Sequence, residues 1–401
     1  MRKILTVLFI LFLCTESFGA PAPVSVSGSV THDGSITISG SGFSTKSFVA
    51  PYLWDATDDD STSSMATYYC GLRPVCSDGN QDDAGVTGSQ PRYSSSYPDV
   101  SGTPMTMPHD NITKYIATAT SSCSGSWSSD GSGNNVFSLC DINSSTIFAM
   151  YYYRLSPTFN EEISADGSNM KEVAMNSSDN YLADSPQNYL DHCNSDVPNM
   201  VNPSNAALKC DDAAHGSACS GGELSYTNPM QTWVHMELRW DTSGNSWAYS
   251  DGSNTDTTDW CDVVGTGTIY TDTLSIGGFT RFPLASTNDN YRYWAGIYVD
   301  KTYSRVMLGN GSTWAASTVR EPQIPHTTWN DTTIQVTVNL GALSGETAYL
   351  YVFDSNNDSN TNGLLVSLSD EAPANAIQGV SISNLNVTEN LTAWNRIDGL
   401  R

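Results

Sequence analysis

Residues 233–241 read Trp-Val-His-Met-Glu-Leu-Arg-Trp-Asp, the strictest alternation in the chain. Val234, Met236, Leu238 and Trp240 fall on one side of a period-two strand; Trp233, His235, Glu237, Arg239 and Asp241 fall on the other. The apolar row needs a core, and the other row is left to face a ligand or a neighbouring surface. Two more stretches alternate in the same way. In 145–155, Phe148, Met150, Tyr152 and Arg154 oppose Ile147, Ala149, Tyr151 and Tyr153. In 291–300, Arg292, Trp294, Gly296 and Tyr298 oppose Tyr293, Ala295, Ile297 and Val299. If the three strands share a sheet, Tyr152, Arg154, Trp233, His235, Glu237, Arg239, Arg292 and Trp294 make an aromatic and ionisable floor. Such floors bind sugars, with rings stacked on Trp or Tyr and hydroxyls bridged by carboxylate and guanidinium. The competing reading is structural: cross-strand ion pairs, with the tryptophans covering the sheet edge.

Working outward, the first residues set an address. Arg2 and Lys3 precede an apolar run from Ile4 to Leu13 and small residues near Gly19, the pattern of a secretory signal peptide over 1–19. No later apolar run approaches the ~20 residues needed to span a bilayer, so a secreted or cell-surface protein is expected. Eight cysteines follow the leader: Cys70, Cys76, Cys123, Cys140, Cys193, Cys210, Cys219 and Cys261. An even number in an exported chain predicts disulfides. Short spacing suggests Cys70 with Cys76, Cys123 with Cys140 and Cys210 with Cys219, leaving Cys193 with Cys261. No zinc-ligand spacing competes with this reading. A formal charge of -25, with six lysines in the whole chain, excludes a nucleic-acid partner.

The two ends of the chain share a character. Residues 24–30 and 35–43 alternate around the turn His32-Asp33-Gly34, a hairpin signal. The stretch SITISGSGFSTKS at 35–47 resembles the opening strands of IPT/TIG immunoglobulin-like domains. The later strands of that family have counterparts in TTIQVTVNL (332–340), TAYLYVFD (347–354) and GLLVSLS (363–369). The resemblance implies one discontinuous immunoglobulin-like sandwich built from 20–50 and 301–370, with 51–300 inserted. All eight mature cysteines lie in that insert. Residues 371–401 read as a tail or the start of a further module.

The insert has long strands, long Ser/Gly/Asn/Asp-rich connections and no helical period, which suits a jelly roll. Trp233–Asn245 and Tyr291–Asp300 resemble strands of the concanavalin A-like lectin/glucanase superfamily, including its LamG-like members. The fold expected is therefore all-β: a concanavalin A-like jelly-roll sandwich inserted into a discontinuous immunoglobulin-like β-sandwich. A retaining glycosidase needs two carboxylates ~5 Å apart, and none of the ten glutamates forms the superfamily's paired-carboxylate motif. A polysaccharide lyase acting on uronates needs an Arg against the carboxylate and a Tyr or His to move the proton. HMELR (235–239), QIPH (323–326) and YWAGIY (293–298) resemble the R-x-E-x-R, Q-I-H and Y-F-K-A-G-x-Y strands of jelly-roll alginate lyases. They depart from them at His235, Pro325 and Trp294, and in order. That alternative rests on His235, Arg239 and Tyr298.

No cofactor is expected, although calcium has oxygen donors to consider in Asp58–Asp60 or in Asp354, Asn356 and Asp358. The latter set lacks the glycine and terminal glutamate of a calcium loop and reads more simply as a polar turn. Sequons at Asn111, Asn176, Asn310 and Asn386 mark exposed turns. The function expected is extracellular binding, of a glycan or cell-surface polymer, through the concave face. A polysaccharide lyase and a structural surface or appendage component are the alternatives, and oligomeric state is left open.

Overall fold

The structure is a computed structural model. It describes residues 19–58, 65, 67–72, 92–95, 105–119, 137–155, 169–176, 187–192, 205–211, 224–225, 231–241, 246–250, 255–258, 273–276, 280–281 and 291–368. Residues 1–18, where a signal peptide is expected, Asp59 and Asp60, residues 371–401, and Cys76, Cys123, Cys193, Cys219 and Cys261 lie outside the described residues.

The chain is all-β; the described residues form four antiparallel sheets, two of eight strands and two of four. The two larger sheets form the jelly-roll sandwich. Val234–Asp241 runs at the heart of one of them, paired with Thr146–Leu155 and Ser246–Ser250. Tyr291–Asp300 lies on the far side of Thr146–Leu155 and also pairs with Tyr115–Ala119 and Leu53–Asp55. The second sheet is organised on Asn169–Asn176, flanked by Gln187–His192 and Thr273–Ile276. Between the sheets, Val234, Met236, Leu238 and Trp240 meet Ile147, Tyr151, Tyr153, Val173, Leu274 and Ile276 in one core. The apolar row of 233–241 thus does what its period requires. Each fully buried side chain of this size contributes ~1.5–3 kcal/mol.

The smaller sheets face each other across a second core. Ala22–Gly28 and Ser35–Ser41 form a hairpin, and the latter strand then pairs with Thr333–Thr337, almost three hundred residues on. The opposing sheet holds Arg305–Gly309 between Arg320–Pro322 and Thr347–Phe353, which pairs with Leu364–Ser367. Ile36, Ile38 and Phe43 from the amino-terminal hairpin pack with Val306, Leu308, Ile334, Val336, Leu350 and Val352. The chain leaves this immunoglobulin-like sandwich after Ser41 and returns at Arg305, so the jelly roll is inserted into a discontinuous partner.

Cys70 is bonded to Cys140, with Cα atoms 5.8 Å apart. This corrects two expected pairings, Cys70 with Cys76 and Cys123 with Cys140. Gly71–Leu72 pairs antiparallel with Phe137–Leu139, so the residue before one strand faces the residue after the other. Strand pairing, not sequence spacing, selected the partner.

The Asp354 segment is a turn. Asp354 Oδ1 accepts the backbone N–H groups of Asn356 and Asp358 at 2.8 and 2.9 Å, an aspartate-centred turn. Among the described residues no group of three or more His, Cys, Asp or Glu side chains is arranged to hold a metal. No helix of the described residues is long and apolar enough to cross a membrane.

Candidate functional site

The floor exists, but with different members. His235 pairs with Tyr152, Glu237 with Met150 and Arg239 with Phe148, so Tyr152, Arg154, His235, Glu237 and Arg239 share the face away from the jelly-roll core. Trp233 caps its edge, its indole N–H donating to the Thr106 carbonyl at 2.8 Å and its ring packing on Tyr115 and Tyr293.

Arg292 and Trp294 are not on that floor. Tyr293 pairs with Arg154 and Ala295 with Tyr152, which points Arg292 and Trp294 into the sandwich interior. Trp294 is fully buried in the core, and the Arg292 guanidinium lies 5.2 Å from its ring. Burial lowers Arg292 to about 10, against the opposing pull of Tyr153 and Glu172. The strand does not keep one alternation. A bulge between Ala295 and Tyr298 inserts an extra residue at Gly296, whose φ of +54° suits glycine. Core-facing residues are therefore Arg292 and Trp294 before the bulge, and Ile297 and Val299 after it.

Nor is the floor open. Phe148, Met150 and Tyr298 pack against Met307, Tyr351 and Phe353 of the immunoglobulin-like sandwich. Arg320 reaches down to Glu237, Nη1 to Oε1 at 3.3 Å, with side chains only 11% and 10% exposed. The Tyr152 hydroxyl donates to the Glu321 carboxylate. On the other side, Met105, Ile112 and Tyr115 cover Tyr152 and Tyr293. Two roofs close over the concave sheet, one from each flank.

Between the roofs a cavity of about 290 Å³ remains. Tyr152, His235 and Gly296 form its base. Trp54, His109 and Asn111 make one wall; His32, Glu321 and Asn339 make the other. The His235 ring stacks on Tyr152 at 4.4 Å, and His109 meets the same ring edge-on at 5.3 Å. The Nδ1 atoms of His109 and His32 accept backbone N–H groups of Asn111 and Leu340 at 3.2 and 3.3 Å. For His109 this leaves Nε2 as the ring's donor.

Burial lowers His109 to about 4, with the fields of His235 and His32 adding to it. Burial, then Arg320, lowers His235 to about 3. Burial raises the Glu321 carboxyl to about 7, although it accepts the Ala342 N–H at 2.8 Å and the Tyr152 hydroxyl. Gly341 makes room for that carboxyl: with φ at +51°, a Cβ there would sit 1.9 Å from the Glu321 Cδ. Among the described residues no arginine or lysine lines the cavity.

The groups expected for β-elimination are not brought together. His235 lines the cavity, whereas Tyr298 is sealed under the roof, donating to Asp300 at 3.1 Å. Burial and Asp300 hold its phenol well above the ordinary range. Arg239 acts on Tyr303 and Arg305 and does not line the cavity. The residues that sequence reasoning missed are Trp54, His32, His109, Asn111, Glu321 and Asn339. His32 was legible only as part of a hairpin turn. Glu321 sits in a three-residue strand with no alternation to read.

The all-β jelly roll with a roofed concave face defines the class of the chain. No protein-family model matches it, and no curated protein sequence does. Among solved structures, it resembles alginate lyase A1-II', a member of polysaccharide lyase family-7, at 8% identity and a TM-score of 0.32, over 50% of this chain and 86% of that one. The marine PL7 alginate lyase AlyA1 from Zobellia galactanivorans aligns at 11% identity and a TM-score of 0.30, over 54% and 85%. The botulinum neurotoxin serotype G binding domain aligns at 8% identity and a TM-score of 0.28, over 65% and 72%. Likeness at these scores carries no argument about chemistry.

Proposed function

We propose that this is an exported carbohydrate-binding protein whose site is the roofed cavity rather than an open concave floor. The observation that carries the reading is the cavity's lining: three aromatic rings, Trp54 in a wall and Tyr152 and His235 in the base, beside the polar groups of His109, Asn111 and Asn339. Apolar ring faces with a few fixed polar groups suit a sugar's alternating C–H and O–H surfaces. A cavity of about 290 Å³ lies near the lower end of small-molecule sites, ~300–1,000 Å³, so it takes one terminal sugar rather than the middle of a polymer. The described lining, uncharged apart from Asp33 and the Glu321 carboxyl, suits a neutral sugar better than a uronate.

A glycan array with the intact protein tests this, expecting hits on neutral terminal sugars. His109→Ala should weaken them about tenfold, the loss of one ring contact worth ~1.4 kcal/mol. Silence on the array would sink the reading. Hits unchanged in His109→Ala and Trp54→Ala would place binding elsewhere. Cleavage of uronate polymers would revive the lyase.

The same reading makes the partner sandwich an IPT/TIG-like host assembled from residues 20–50 and 301–370 around the insert. Its role is to supply one wall of the cavity through His32, Glu321 and Asn339.

A further inference from the structure

Lys46 and Asp300 stand where the chain leaves the immunoglobulin-like sandwich for the insert and where it returns. Lys46 follows the Ser35–Ser41 strand, and Asp300 ends Tyr291–Asp300. Their side chains touch, Nζ against Oδ2, and are 0% and 1% exposed. The Trp329 ring lies 5.1 Å from Nζ. The carboxyl is held at both oxygens. Oδ1 accepts the Thr302 backbone N–H at 3.0 Å and its hydroxyl at 3.1 Å. Oδ2 accepts the Tyr298 hydroxyl at 3.1 Å. An amine pressed against a carboxyl in a buried, aromatic pocket is an arrangement from which an amide forms.

We propose that Lys46 and Asp300 condense after folding into an Nζ–Cγ amide, a covalent clasp across the neck of the insert. The proton passes from the ammonium to Oδ2, giving a neutral amine and a neutral acid. The Nζ lone pair attacks Cγ while Oδ1, held by its two Thr302 donors, carries the developing negative charge. The Cγ–Oδ2 bond breaks, and Oδ2 leaves as water with the two protons shed by nitrogen, relayed past the Tyr298 hydroxyl. No oxidant or co-reactant is needed: one amine and one acid become one amide and one water.

The electrostatics of the pocket favour the reactive forms. Burial lowers the Lys46 ammonium, with Arg305 adding to the effect against Asp300. Burial raises the Asp300 carboxyl against Lys46. Both shifts move the pair from ions toward amine and acid. Burial of both groups, at 0% and 1% exposure, also limits access of the water that would drive the amide back. The clasp joins residues 254 apart in the sequence, so the insert cannot be pulled free of its host while the bond holds.

Intact-mass spectrometry of the reduced, denatured full chain decides it. The expected mass is one water below that of the reduced sequence. A tryptic digest should yield Tyr293–Lys301 joined to the uncleaved peptide that carries Lys46. Lys46→Arg keeps a cation but should restore the full mass, as should Asp300→Ala. Tyr298→Phe should leave a larger fraction of chains uncondensed. The mass is read on the unfolded chain, so a variant that folds poorly still reports. A parent protein at full sequence mass, with free Lys46 and Asp300 peptides, would overturn the proposal and leave the pair a buried ion pair.

Discussion

The contact between Arg320 and Glu237 is the most direct measure of whether the concave face is covered. The carboxylate belongs to Val234–Asp241 of the jelly roll, the guanidinium to Arg320–Pro322 of the other sandwich, and the two meet at 3.3 Å. Arg320 is held from behind as well: Nε donates to Ser317 O and Nη2 to Trp314 O, both at 3.0 Å, and the guanidinium lies 4.4 Å from the Trp314 ring. It is therefore pre-set before it meets Glu237, and little side-chain entropy is lost in the pairing. At an effective dielectric near 20 the Coulomb attraction at this distance is about 5 kcal/mol before desolvation. Hydrogen bonds to charged groups retain ~1.5–3 kcal/mol net.

Replacing Arg320 by Met strands a carboxylate that is about one-tenth exposed, and should cost ~3–5 kcal/mol. Glu237→Met strands the guanidinium but leaves its two carbonyl partners, and should cost less. The double variant should be more stable than the sum of the two losses implies, by ~2 kcal/mol. Urea unfolding followed by tryptophan fluorescence gives all three numbers. Additivity within ~0.5 kcal/mol, the behaviour of independent sites, would mean that Arg320 does not sit on Glu237. The roof over the concave sheet would then be wrong, and with it the cavity.

Three further outcomes follow from the same geometry. His109 and His235 titrate at about 4 and 3 in the folded chain, below the ordinary 6.5, and Glu321 at about 7 against 4.5. Between pH ~4.5 and 6.5 the unfolded chain thus binds two protons that the native histidines refuse, and lacks one that native Glu321 keeps. The net of one makes this cluster stabilise with rising pH by ~1.4 kcal/mol per unit. In His109→Gln/His235→Gln only the Glu321 term survives and the cluster's slope changes sign, so the difference between the two stability–pH curves is the test. Gly341→Ala, which drives a Cβ into the Glu321 carboxyl, should cost at least ~1–3 kcal/mol of thermal stability; an unchanged melting temperature would refute that placement. Finally, a fragment of residues 301–370 should not fold alone, since Thr333–Thr337 loses its Ser35–Ser41 neighbour and the core loses Ile36, Ile38 and Phe43. Adding a peptide of residues 20–50 should restore its near-ultraviolet circular dichroism, whereas a fragment that folds without it would break the discontinuous-domain reading.

What the chain disclosed in advance follows how locally each feature is determined. The apolar row of 233–241 was legible because strand period and burial agree within nine residues, and the same holds for Tyr151 and Tyr153 against Tyr152 and Arg154. Disulfide choice was not legible, because Cys70 meets Cys140 through the pairing of two short strands whose registers no spacing encodes. Arg292 and Trp294 failed for a physical reason worth isolating. A period-two assignment carries its phase along a strand only while every residue advances the pleat, and one bulged glycine resets that phase. Gly296 sits in the middle of a ten-residue strand, so half of any uniform reading had to be wrong.

The deeper omission was the roof. Alternation reports that a face is polar or aromatic; it does not report whether solvent, ligand or another sheet meets it. Here Glu237 and Tyr152 look like binding groups because they are an acid and a ring on a free face, yet their partners Arg320 and Glu321 are consecutive residues of a different sandwich. That pairing also explains why an acidic chain would place an arginine and a carboxylic acid side by side: the arginine neutralises the floor, and the acid, raised by burial, finishes the cavity wall. The cavity is consequently lined from two sandwiches, by Tyr152 and His235 on one side and His32, Glu321 and Asn339 on the other. Any change that loosens the neck at Lys46 and Asp300 should open the cavity before it unfolds either core.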